Sequence, residues 1–141
     1  MGKINVGRWI LGGLVAGVVG DVIEAAAEGL WLGPQWNAAM KLVGKPALTM
    51  TQVVEFNLIG LVIGFAAVWI YVGIRPRFGA GPRTAVYAGL VTWVLASLVA
   101  NTFFMVIPYM YPHHLALYAT IIDFFACVVG TLAGAALYTE T

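Results

Sequence analysis

Charge is scarce in this sequence. Asp, Glu, Lys and Arg together make up 9% of its 141 residues, where soluble domains carry about a quarter, so a water-facing surface could not be covered. The formal net charge is +1 with no long Lys/Arg run; without a basic stripe to displace counterions from phosphates, a nucleic-acid partner is excluded. Cys127 stands alone, which excludes an intrachain disulfide, a Cys-x-x-Cys redox pair and a multi-thiolate zinc or iron-sulfur site. Ser97 is the one serine and has no histidine at helical spacing. No Gly-rich phosphate cradle or Glu-x-x-His pair is present, so the chain is not read as an enzyme and no cofactor is expected. The two histidines lie outside the apolar runs, which argues against an intramembrane haem.

What is abundant is apolar. AVILMFWYC residues fill 62% of positions and the mean hydropathy is +0.93. A hydrocarbon core of about 30 Å takes roughly 20 helical residues. Four runs satisfy that: Val6 to Leu32, Val53 to Ile74, Thr84 to Ile107 and Leu115 to Tyr138, each bounded by Pro, Gly or charged residues. The short apolar-polar alternation of a membrane barrel is absent. The expected fold is all-α, a polytopic four-helix membrane bundle forming a single domain over residues 1–141, with the lipid bilayer as its first partner.

Lys3, Arg8, Arg75, Arg77 and Arg83 fall on one side of such a bundle, and Lys41 and Lys45 on the other. The positive-inside bias then places both termini in the cytoplasm. Reading the first span as a secretory signal, on Ala25-Ala26-Ala27 as a cleavage site, is disfavoured because Asp21 and Glu24 would fall just before the cut. A myristoylation start at Met1-Gly2 fails on Val6. In the loop from Gly33 to Gln52, Trp36, Met40 and Val43 recur at helical spacing, which predicts a short interfacial helix anchored by Trp36. Trp9, Trp31, Trp36, Trp69 and Trp93, with Tyr109, Tyr111 and Tyr118, are expected mostly near span ends as an aromatic belt. Gly13-Leu14-Val15 and Gly89-Leu90-Val91, and the closing Tyr71 and Tyr138, suggest two helical hairpins related by a pseudo-twofold.

Small residues four apart occur in every span: Gly13 and Gly17, Gly60 and Gly64, Ala85 and Gly89, Gly130 and Gly134. Such pairs let helix backbones approach in lipid. The partner is either within the chain or a second copy, and a homodimer or larger membrane complex through the glycine faces is one expectation.

At 100° per residue Gly13, Gly17, Gly20, Glu24 and Glu28 share one helix face, with Asp21 one turn beyond Gly17. The acids should therefore point into the bundle. Asp123 lies over the Gly130/Gly134 stripe, Asn101 falls at a comparable depth, and Asn57 shares the Gly60/Gly64 face. Counted from the cytoplasmic end, all of these lie in the outer half. A carboxylate at the bilayer centre costs about 2.5–3.5 kcal/mol, so the cluster must share a proton, bind a cation or open to water. The functional reading is a site for a proton, a cation or a small cationic solute built from Asp21, Glu24 and Asp123, with Asn101, Asn57 and Glu28 around them. The competing reading makes the acids protonated inter-helix hydrogen-bonding groups in a structural or accessory subunit. Glu28 and Glu55 also read as solvated interface acids, and Cys127 as a packing residue. His113 and His114, after Pro112, are weak candidates to ligate a metal beside the acids, and equally read as solvated turn residues.

Gly12-Gly13-Leu14-Val15-Ala16-Gly17 followed by Glu24, Leu32-Gly33-Pro34-Gln35-Trp36 with Ala39-Met40, and Phe56-Asn57-Leu58 carry a likeness. So do Trp69-Ile70-Tyr71 with Ile74-Arg75-Pro76-Arg77-Phe78-Gly79, and Thr131-Leu132-Ala133-Gly134-Ala135 with Tyr138. On these stretches the chain resembles a family of small four-span bacterial membrane proteins, a domain with no established activity. The resemblance implies four membrane helices and a bacterial inner membrane, and carries no catalytic residues.

Overall fold

The structure, a computed structural model, describes residues 3–107 and 112–141. Tyr109 and Tyr111 of the expected aromatic belt, and the Met1-Gly2 start, lie outside the described residues. Among those described, every regular element is helical. They are α1 (Val6–Ala27), a π-helical segment (Glu28–Leu32), α2 (Gly33–Leu42), α3 (Met50–Phe78), α4 (Pro82–Trp93), a second π segment (Val94–Leu98), α5 (Val99–Val106) and α6 (His113–Ala136). They join into four helices long and apolar enough to cross a membrane: Val6–Leu42, Met50–Phe78, Pro82–Val106 and His113–Ala136. The chain is thus a multi-pass helical membrane bundle.

Local chemistry sets the ends. Asn5 caps α1 by accepting from the Arg8 N–H at 3.1 Å, and Thr49 with Gln52 forms a capping box that starts α3. α3 therefore begins before Val53. It also runs past Ile74 through Pro76, which sits in the last turns before Gly79, whose φ of 87° ends the helix. The expected break after Leu32 does not occur. Gly33 donates to the Glu28 carbonyl through a π turn, and Pro34 occupies the first turn of α2, where no N–H is needed. The interfacial helix is an extension of the first span. Its 37 residues are about 55 Å at 1.5 Å each, well beyond a hydrocarbon core of about 30 Å. His113 and His114 lie in the first turn of α6 rather than in a turn before it.

α1 packs along both α3 and α6, α6 packs along α4, and α3 meets α4. Glycine makes the α1 contacts possible. A methyl group on Gly17 would meet the Leu61 backbone, one on Gly13 the Phe65 backbone, and one on Gly64 the Gly17 backbone. On the other side Gly134 faces the Gly12 carbonyl, and Gly130 faces that of Ala16. Gly89 lies against Val128 of α6. The glycine faces offered above to a second copy are spent inside the chain, because their helices meet at backbone distance. Two indoles add polar links: Trp9 Nε1 donates to the Phe65 carbonyl (3.0 Å) and Trp93 Nε1 to that of Thr120 (2.9 Å). Trp93 thereby sits between spans rather than in a belt.

The arginine-bearing end is tied together. The Tyr71 hydroxyl accepts the Gly81 N–H and the Tyr138 hydroxyl accepts the Asn5 N–H, each at 3.3 Å. The two rings meet edge to face with centroids 6.2 Å apart. Arg75 pairs with Glu140 at 2.7 Å and lies over the Tyr138 ring. At the other end α3 loses its neighbours: residues 50–59 are exposed on every side, and no substantial α3–α5 packing is present.

Replacing Gly64 by Ala should lower stability by about 1–3 kcal/mol through overpacking against α1. Gly73→Ala, with open space at its Cβ, should be neutral or stabilising by up to about 1 kcal/mol. Thermal unfolding of both variants in detergent reads the difference.

Candidate functional site

Where α3 separates from the third span, a cavity of about 340 Å³ opens in the bundle. Its deep wall is closed by Ala16, Ala67 and Thr131 (4%, 2% and 0% exposed), and its rim carries Phe56, 58% exposed. The opening thus lies toward the end away from the arginines. Asp21, Glu24 and Asp123 all line it, together with Ser97 and Cys127. The shared face expected for Asp21, Glu24 and the α1 glycines is realised.

Each acid is held differently. Asp21 rests against α3 at Gly60, where any β-carbon would overlap its carboxylate; Gly60 is the notch that lets an aspartate fit between two packed helices. Glu24, one turn further along α1, lies in the electrostatic field of Asp123, Asp21 and Glu28. Neither Asp21 nor Glu24 makes a hydrogen bond among the described residues. Asp123 is well supplied: Ser97 Oγ donates to its Oδ2 at 2.5 Å and Asn101 Nδ2 approaches the same oxygen at 3.4 Å. Asn101 Nδ2 also lies 3.1 Å from Ser97 Oγ and 3.0 Å from Thr120 Oγ1. Thr120 in turn donates to the Ala116 carbonyl at 2.7 Å, closing a polar chain between the third span and α6.

The π segment Val94–Leu98 carries Ser97, and the other, Glu28–Leu32, begins at Glu28. A π turn adds one residue to the helical circuit and re-aims the side chains that follow, a device common at functional sites. Ser97 is the site residue that sequence reasoning missed. It was weighed only as a nucleophile, and its signal was its position four residues before Asn101.

The remaining candidates fall elsewhere. Asn57 is exposed and donates to the Val53 carbonyl of its own helix at 2.7 Å, while Phe56 takes the place beside the cavity. Glu28 is exposed and hydrogen-bonds with Trp36 across the π segment. Glu55 is exposed. His113 and His114 are exposed, with the His114 ring edge-on to Tyr118. Among the described residues no three His, Cys, Asp or Glu side chains converge as metal ligands. No cation neutralises the acids either: the ion pair found among the described residues is Arg75–Glu140, at the opposite end.

The fold and site define a class, a multi-pass helical membrane protein with an uncompensated acidic cavity. No family model, curated protein or solved structure matches the chain, so the geometry alone carries the functional reading.

Asn101→Ala should cost about 1–3 kcal/mol, since Ser97, Thr120 and Asp123 lose a shared donor. Asn57→Ala should stay within about 0.5 kcal/mol. Unfolding midpoints of the two variants side by side check the ranking.

Proposed function

We propose that this protein binds a proton or a small organic cation in its acidic cavity, from the non-cytoplasmic side of a bacterial inner membrane, and moves it across. The observation that carries this reading is the pair Asp21 and Glu24. These are two carboxylates without hydrogen-bond partners among the described residues, lining a cavity of about 340 Å³ together with Asp123. Held in lipid they are costly when ionised and uncompensated, and a bound cation or proton removes that cost. The cavity is of the size that takes small organic molecules. Its walls are mostly apolar, and Phe56 and Ile63 line it along with the acids, which suits an ammonium group on a hydrocarbon body better than a bare metal ion.

The positive-inside bias favours the cytoplasm for the end where both termini meet the α3–α4 turn. There Tyr71 reaches from the second span to the start of the third, and Tyr138 from the fourth to the start of the first. These matched roles support two hairpins related by a pseudo-twofold. A second copy would dock away from the glycine faces, which are occupied within the chain, and away from the cavity mouth.

The structural reading is favoured at one residue. Asp123 has the hydrogen bonds expected of inter-helix polar glue, whereas Asp21 and Glu24 do not.

Purified protein should melt at a higher temperature with benzyltrimethylammonium and less so with sodium. The shift should vanish in Glu24→Gln and weaken in Gly60→Ala, which displaces Asp21. Because protons compete for the same carboxylates, cation stabilisation should fall as pH falls. A melting temperature indifferent to every cation and to pH would leave only the structural role.

A further inference from the structure

The two ends of the bundle are built from opposite kinds of contact. Between α1 and α6 the seam is backbone on backbone, Gly12 on Gly134 and Ala16 on Gly130, along the closed half of the cavity. The Val68 side chain lies against both Gly12 and Gly134, and a seam otherwise built from backbone allows neighbouring helices to rock or slide by small amounts. Across the bundle from that seam, α3 and the third span touch at the arginine-bearing end and part at the other. The closed end surrounds a buried core of Val68, Val72, Ala85, Ala88 and Ala135, and the polar contacts that tie it are few and reversible. They are the Tyr71 hydroxyl on the Gly81 N–H, the Tyr138 hydroxyl on the Asn5 N–H, the edge-to-face pair of those rings, and Arg75 between Glu140 and the Tyr138 ring. Both tyrosines are buried, at 3% and 4% exposure. Each link joins the hairpin of spans one and two to that of spans three and four.

We propose that Tyr71, Tyr138, Arg75 and Glu140 form the inner gate of a two-state cycle, and that the structure is the state with the inner gate shut and the acidic cavity open outward. The inference rests on the transport reading above. Rocking about the Gly12–Gly134 seam would bring the exposed half of α3, with Phe56, over the cavity mouth as the tyrosine layer parts. The deep wall at Ala67 and Thr131 then becomes the route to the arginine-bearing side. The polar part of the layer is suited to the task because each hydroxyl–amide bond exchanged for water costs only about 0.5–1.5 kcal/mol.

Access is read with one thiol, Ala67→Cys in a Cys127→Ala background, treated with a membrane-impermeant maleimide from either side of oriented vesicles. The parent should label from the side away from the arginines. Adding Glu140→Gln, or Tyr71→Phe, which keeps the ring and removes only the hydroxyl, should raise labelling from the arginine-bearing side about tenfold, as a weakened closed state predicts. Outer labelling that persists with no inner gain in either variant, or in the two combined, would overturn the gate and leave the binding site standing. A thiol unreactive from both sides would overturn the water-accessible cavity, and the gate with it.

Discussion

Backbone contact along α1 is the constraint on which the rest of the bundle depends. In lipid, apolar side chains gain little by leaving one hydrocarbon for another, so association rests on close packing and on polar groups that lipid cannot satisfy. Gly13 and Gly17 bring α1 against Leu61 and Phe65 of α3, and Gly12 and Ala16 bring it against Gly134 and Gly130 of α6. Although Glu28 further along is exposed, with α1 held between two helices at backbone distance the first side chains on that face beyond Gly17 are carried inward. Asp21 and Glu24 are the next two such positions. The glycines that let α1 dock thereby also bury its acids.

The acids are tolerated because α3 does not stay with the third span. Had it packed on α5 as it does on α4, Asp21 and Glu24 would be sealed in hydrocarbon without partners, a costly arrangement. Instead the helices part, Phe56 stands at the rim, and the carboxylates line an open cavity. Asp123 is settled in another way, by Ser97 and Asn101 from the neighbouring span. The three carboxylates thus differ: Asp21 and Glu24 have no hydrogen-bond partner among the described residues, and Asp123 has Ser97 and Asn101. Their contrast is the ground on which a binding role is proposed in preference to a structural one.

Much of this was legible from spacing. Steps of three and four residues place Gly13, Gly17 and Glu24 on one helix face, and the same arithmetic sets Asp123 over Gly130. It fails where the helix departs from 3.6 residues per turn. The π segments at Glu28–Leu32 and Val94–Leu98 each insert a residue that periodicity cannot register. The π turn at Glu28–Leu32 also carries the first span through Gly33 and Pro34, residues that read as a boundary in the sequence. Asn57 shares the Gly60/Gly64 face by spacing yet lies exposed, since a shared face is buried only as far along α3 as a neighbour accompanies it.

The sequence by itself determined that the chain crosses a membrane as four helices and that its glycines and acids share faces, because composition and local period are properties of single segments. Tertiary structure decided which glycine meets which backbone, where α3 departs, and which carboxylates keep no partner. Those outcomes depend on distances between segments remote in the chain, and small-residue faces are compatible with several pairings until one set of helices closes on another.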